Sequence, residues 1–105
     1  MDTPISAKAA LLQALVREPG YGLELIERVK KQTKGAVQLG NASVYPALRA
    51  LEQEGLIDSY EGESLPERGG RPRRYYKLTA LGAKAAIENR KLAGALFGLL
   101  VPQRG

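Results

Sequence analysis

Two groups of side chains in this 105-residue sequence have the chemistry of polyanion recognition. In the first, Tyr45, Arg49 and Gln53 recur at four-residue spacing, flanked by the small residues Ala42, Pro46 and Ala50, with Asn41 and Ser43 just upstream. Arginine and glutamine carry the donor and acceptor patterns that match base edges, and alanines let a groove wall approach closely. In the second, Arg68, Arg71, Arg73, Arg74 and Lys77 form a stretch without an acid, and Glu61, Glu63 and Glu67 stop just before it. Planar guanidinium groups give directional, charge-assisted bonds to phosphate oxygens and suit a narrow minor groove. Gly69-Gly70 lets the chain turn there, and Pro72 stiffens the tip between two arginines.

The elements around these residues must present them. Val44, Ala47, Leu48 and Leu51 fall at i, i+3, i+4 and i+7, which predicts a helix over 42–55 with Tyr45, Arg49 and Gln53 on its outer side. Asn41 or Ser43 can cap it, and Ser43 is favoured because Pro46 then lies in the first turn. Gly55 closes the helix. Strands at 56–60 and 73–78 should pair antiparallel around a loop at 61–72, with Tyr76 and Leu78 inward and Arg73, Tyr75 and Lys77 outward. A helix followed by a hairpin with arginines at its tip is the layout of a winged helix-turn-helix. The fold class expected is mainly α with a small antiparallel β wing. Residues 1–78 would form the DNA-binding domain, 79–101 a C-terminal dimerisation helix and 102–105 a frayed tail.

Upstream, a helix over 6–17 carries Ala9, Leu12, Leu15 and Val16, and Glu18-Pro19-Gly20 ends it. A second helix over 22–34 would bury Leu25, Ile26 and Val29, with Gly35 as its C-cap glycine. Its outer face and C-terminal end collect Arg28, Lys30, Lys31 and Lys34, which either complement the helix dipole or contact backbone phosphate. Val37 and Leu39 alternate with polar or small residues, so a short strand is expected there. Thr79 should cap a last helix over 80–100. After Leu92 its apolar residues lie on more than one face, and a terminal helix can hide only one stripe in its own domain. A homodimer through Leu92, Leu96, Phe97, Leu99 and Leu100, with Leu12 of the first helix beside them, accounts for the surplus.

A net charge of +5 favours polyanions without identifying one. Cysteine and histidine are absent, which removes disulfides, thiolate metal sites and the commonest general base. The acids Glu24, Glu27, Glu52, Glu54 and Glu88 are scattered, Ser43 has no base near it in sequence, and Gly69-Gly70 precedes a strand and not a helix. An enzyme is not expected, nor a metal or other cofactor. No apolar run approaches the roughly 20 residues that span a bilayer. Met1-Asp2-Thr3-Pro4 lacks the pattern of a secretory signal, so a cytoplasmic protein without membrane association is expected. The competing reading is a winged-helix module for protein–protein contact, whose basic wing docks an acidic partner and binds DNA only non-specifically. An RNA-binding winged helix is a minor variant.

The ordered set Gly20-Tyr21-Gly22-Leu23-Glu24-Leu25-Ile26, Ser43-Val44-Tyr45-Pro46-Ala47-Leu48, Leu51-Glu52, Gly55-Leu56-Ile57, Gly70-Arg71-Pro72-Arg73-Arg74-Tyr75-Tyr76-Lys77-Leu78-Thr79 and Gly82 resembles the short members of the PadR family of bacterial transcriptional regulators. The resemblance implies a dimeric winged-helix repressor on a pseudo-palindromic operator. It places Ser43, Tyr45 and Arg49 in the recognition helix, Arg71, Arg73 and Arg74 in the wing, and the dimer contact in the C-terminal helix. Asn41, Pro46 and Gln53 join the first group, Arg68 and Lys77 the second, and Tyr21, Lys30, Lys31 and Lys34 are candidate phosphate contacts. The expected partners are double-stranded DNA, a second copy of the chain and an unidentified small-molecule effector. Some relatives release DNA on binding a phenolic acid or a flat drug-like cation, in certain short members between tryptophans. This chain has no tryptophan and one phenylalanine, Phe97, so it departs from that pattern. A pocket between protomers would be lined by residues such as Leu12 and Leu96.

Overall fold

The computed structural model describes residues 6–64, 69 and 72–100, apart from the side chains of 63, 64, 93 and 96–100. Arg68 and Arg71, the tail at 102–105, and the side chains of Leu96, Phe97, Leu99 and Leu100 therefore lie outside the described residues. Four helices and a three-stranded sheet follow in the order α1 (Ala7–Ala14), β1 (Gly20–Tyr21), α2 (Gly22–Gln32), α3 (Asn41–Gln53), β2 (Ile57–Ser64), β3 (Pro72–Leu78) and α4 (Ala80–Leu100). The sheet is antiparallel with β3 in the middle, between β1 and β2. This is the winged helix-turn-helix arrangement expected from the sequence.

The core forms where the apolar stripes of α1, α2 and α3 converge on the sheet. Leu11, Leu25, Leu48, Leu51 and Ile57 are its largest fully enclosed side chains, joined by Val29 and Val44. Each contributes about 1.5–3 kcal/mol by leaving water. Among the described residues no charged side chain is buried, and the one hydroxyl-bearing residue of the core is Tyr76.

Helix α1 is shorter than its pattern suggested. Ser6 caps it, its Oγ accepting from Ala9 N–H at 3.1 Å, but regular helix ends at Ala14. Val16 N–H bonds to Gln13 O, three residues back, so the last turn tightens and unwinds. Leu15 stays in the core while Val16 faces solvent. Arg28, expected on an exposed face of the second helix, instead donates to Ala14 O (2.8 Å), Glu18 O (2.9 Å) and Pro19 O (3.1 Å). It satisfies carbonyls that the end of α1 would otherwise leave open.

Helix α2 ends in a Schellman arrangement, with Gly35 N–H to Lys30 O at 2.7 Å and Lys34 N–H to Lys31 O at 3.2 Å. The left-handed residue of that motif is Lys34 (φ 52°), and Gly35 (φ 83°) follows it, so the glycine sits one place beyond the position it was expected to fill. Residues 37–39 form no strand. Val37 is buried, and its N–H donates to Thr33 Oγ1 at 3.0 Å. The third strand is the two-residue β1, in which Gly20 pairs with Tyr76 and Tyr21 with Tyr75.

Helix α3 begins three residues before the favoured start. Gly40 is the N-cap, and its carbonyl accepts from Ser43 N–H (3.0 Å) and Val44 N–H (2.9 Å). Ser43 is therefore inside the helix, and so is Pro46. The missing N–H of Pro46 leaves Ala42 O without a ladder partner, on an exposed residue where water can reach it. The C-terminus matches expectation. Gly55 adopts φ 77°, with Leu56 N–H to Leu51 O and Gly55 N–H to Glu52 O, both at 3.0 Å.

Strand β2 runs on to Ser64, beyond the expected end at Tyr60. Glu61 pairs with Arg74 and Ser64 with Pro72 across an irregularity between Glu61 and Ser64. The wing is thus a longer ladder with a shorter tip. At its base, Thr79 joins three elements. Its Oγ1 accepts from Gly82 N–H (3.0 Å) to cap α4 and donates to Gly55 O (2.7 Å), while its N–H donates to Leu56 O (3.1 Å). Gly82 packs directly on the Leu56 carbonyl, where a Cβ has no room.

Helix α4 spans 21 residues, with the bounds the sequence indicated. It rests on α1 through Ala86, whose carbonyl accepts from Gln13 Nε2 at 2.6 Å. Beyond that contact, Leu81, Ile87 and Leu92 are exposed, Leu92 at 65%. Leu12, assigned above to a surface shared between chains, is only 3% exposed within this chain alone. Because α1 turns it inward, Leu12 belongs to the chain's own core and cannot line an intermolecular pocket.

Candidate nucleic-acid interface

The stripe Val44, Ala47, Leu48 and Leu51 anchors α3 to the core, and this leaves Asn41, Ser43, Tyr45, Pro46, Arg49 and Gln53 all exposed on its outer side. Arg49 makes no ion pair among the described residues, and Glu52, the acid nearest to it along α3, is engaged elsewhere. Ser59 Oγ donates to Glu52 Oε2 at 2.6 Å and accepts from Arg74 Nη2 at 2.8 Å, with Arg74 and Glu52 3.9 Å apart. The base of the wing is thereby tied to α3 through Arg74, on the sheet face that also carries Tyr76.

The opposite, outward face of the sheet carries a row of rings. Tyr21, Tyr75 and Tyr60 are direct cross-strand neighbours from β1, β3 and β2. Tyr21 meets Tyr75 edge-on at 5.5 Å between centroids, and Tyr75 stacks on Tyr60 at 5.7 Å. Tyr75 also lies over Gly62, where a side chain would collide with it. Arg73 and Lys77 flank the row, Arg73 at 4.5 Å from the Tyr21 centroid and Lys77 at 5.7 Å from that of Tyr60. In each contact the electron-rich ring face attracts the cation. The rings hold the two cations on one face, and neither forms an ion pair among the described residues. The adjacent Tyr75 hydroxyl, more than any other group, raises the Arg73 pKa above its ordinary value, so this guanidinium stays charged. Burial likewise pushes the Tyr76 phenol up, against the opposing effect of Arg74.

Tyr21 therefore joins the wing and the start of α2. Lys30, Lys31 and Lys34 sit at the other end of α2, roughly 12 to 18 Å along its axis from Gly22. They are exposed but are not brought together with the cluster around Tyr45. Sequence reasoning missed Gly22, Glu52, Ser59 and Tyr60 as parts of the site. Of these only Tyr60, at the end of a strand pattern, carried a local signal. Among the described residues, no group of three or more His, Cys, Asp or Glu can hold a metal ion, and no helix is long and apolar enough to cross a membrane.

The model of the PadR-like transcriptional regulator family matches residues 11–88, which contain every element from α2 through β3. Among solved structures, the chain is similar to a transcriptional regulator from Clostridium thermocellum at 25% identity and TM-score 0.75, over 89% of this chain and 87% of that one. It is also similar to a PadR-like transcriptional regulator from Bacillus cereus at 25% identity and TM-score 0.68, over 91% and 92%. Bacillus subtilis PadR, in complex with operator DNA, shares the fold at 18% identity and TM-score 0.68, over 93% of this chain and 48% of that one. No curated protein matches the chain.

Proposed function

The chain belongs to the PadR-like family of transcriptional regulators, and from that premise we propose that it is a dimeric repressor of a pseudo-palindromic operator, acting in the cytoplasm. Helix α3 lies in the major groove with Arg49 and Gln53 toward base edges, and the wing follows the flanking backbone or minor groove. Arg73 and Lys77, with Arg68 and Arg71 nearer the tip, neutralise phosphates and supply sequence-independent affinity. Lys30, Lys31 and Lys34 extend the basic surface. Two copies join through α4, covering Leu92 and the residues Leu96, Phe97, Leu99 and Leu100 that follow it. This sets the two recognition helices about 34–36 Å apart, one turn of the duplex.

The observation that carries this reading is the uncovered face of α3, with Arg49 unpaired among the described residues and a cationic sheet beside it. The solved structure of Bacillus subtilis PadR with operator DNA supports the choice of duplex as partner. Footprinting of DNA upstream of the chain's own gene, across a salt series and beside an unrelated duplex, tests it. A two-fold symmetric protected site with a steep salt slope is expected. Equal, weak binding to both duplexes would reject operator recognition and favour an acidic protein partner for the wing.

A further inference from the structure

The first turn of α2 and the outer side of α3 meet at one point. Tyr45, 41% exposed, lays its ring across Gly22. A Cβ on Gly22 would stand 2.5 Å from Tyr45 Oη, 2.7 Å from Cε1 and 2.8 Å from Cζ. Gly22 is not among the glycines with positive φ, so its backbone does not demand glycine. The demand comes from the ring. Beside Tyr45 opens a cleft of about 290 Å³, whose walls include Tyr21, Leu23 and Arg73. Arg73 has no carboxylate partner among the described residues, and its Nε is buried without a hydrogen-bond acceptor.

We infer that Tyr45 contacts the DNA backbone and not the bases, and that Gly22 is the positioning residue that holds it there. The inference rests on the reading that α3 faces a duplex. Arg49 and Gln53, about one and two turns further along α3, are free to extend toward a groove floor. A ring laid across α2 is turned instead toward the groove's edge, where the sugar–phosphate chain runs. Its phenolic O–H and the Arg73 guanidinium border the same cleft, and together they offer a hydroxyl donor and a charged donor to one phosphate group. That donor set fits non-bridging phosphate oxygens and carries no sequence information. Sequence choice is thereby left to Arg49 and Gln53, and Tyr45, though part of the recognition helix, acts there on the backbone.

The test uses the full chain, a duplex carrying the footprinted site and an unrelated duplex of equal length, with affinities read by fluorescence anisotropy. Tyr45→Phe keeps the ring and removes only the donor. It should weaken binding to both duplexes by a similar factor, about tenfold, because a hydrogen bond to a charged group is lost. The ratio of the two affinities should stay within about twofold of wild type. Gly22→Ala should weaken both duplexes in the same way, and it should cost nothing further in a Tyr45→Ala background, where the space is already open. A loss on the footprinted duplex alone in Tyr45→Phe would make Tyr45 a base reader and overturn the inference. So would an equal Gly22→Ala cost with and without the Tyr45 ring, since glycine would then act independently of it. Failure of the wild type to bind either duplex would instead reject the DNA reading beneath it, a result separable from both.

Discussion

Thr79 offers a stringent test of how α3 and α4 are held together at the base of the wing, because one hydroxyl bonds to both helix ends. Replacing it with alanine removes the acceptor that caps α4 at Gly82 N–H and the donor to Gly55 O, while the backbone bond from Thr79 N–H to Leu56 O stays. Loss of a threonine N-cap costs about 1 kcal/mol. The carbonyl of Gly55 is exposed, so water replaces its lost partner and adds only about 0.5–1 kcal/mol. The total is about 1.5–2 kcal/mol. At about 2.1 cal/mol/K of unfolding entropy per residue, a chain of 105 residues should then melt about 7–9 °C lower. Thr79→Ser retains the hydroxyl and should recover most of that loss. Far-UV circular dichroism melts of the three proteins at one concentration provide the comparison, since self-association makes Tm concentration-dependent. A shift under about 2 °C for the alanine variant, or an equal loss for serine, would show that the hydroxyl does not join these elements.

Arg49→Ala should reduce affinity for the operator by about 1–3 kcal/mol while leaving an unrelated duplex nearly unaffected, and equal losses would reject base reading. Arg73→Ala should weaken every duplex and flatten the plot of log affinity against log salt by about 0.9 per chain, whereas an unchanged slope would remove Arg73 from the phosphate contacts. Tyr76 has a folded-state pKa raised by burial, so its contribution to stability is complete below pH 10 and is lost as pH climbs through the folded value. Urea titrations of wild type and Tyr76→Phe should therefore diverge above pH 10, the phenylalanine variant losing less; parallel curves would contradict the assignment.

What could be read from the sequence was what local chemistry decides. The stripe Val44, Ala47, Leu48 and Leu51 gives the buried face of α3, the alternation at Tyr76 and Leu78 gives the inward face of β3, and Thr79 marks the start of α4 because a capping hydroxyl acts within one turn. Contacts between distant segments were not legible. Strand β1 is two residues long, too short for any alternation, and exists only because β3 pairs with it. Arg28 looked like surface charge until the end of α1 came within its reach. Arg74 looked equivalent to Arg73, yet neighbouring strand residues face opposite sides, and only Arg74 meets Ser59 and Glu52. The start of α3 was misplaced because a proline in the sixth helical position is locally unfavourable, and the packing of Val44 and Leu48 outweighs that preference. Leu12 has the same helical spacing as an interface residue and a core residue, and the pattern cannot separate the two.

The distribution of aromatic side chains also has an optical consequence. The chain has five tyrosines and no tryptophan, and Tyr21, Tyr45, Tyr60, Tyr75 and Tyr76 all lie on α3 or in the sheet. Intrinsic ultraviolet emission and near-ultraviolet circular dichroism at tyrosine wavelengths therefore arise from the half of the molecule proposed to meet DNA, since α1 has no aromatic residue and α4 only Phe97, which absorbs weakly and at shorter wavelength. The row at 5.5 and 5.7 Å brings three of these chromophores close enough to couple. A rearrangement confined to α4 leaves this spectrum unchanged, whereas one that reaches the wing or α3 alters it. The protein thus carries a label-free reporter that can tell an event at one end of the molecule from its arrival at the other.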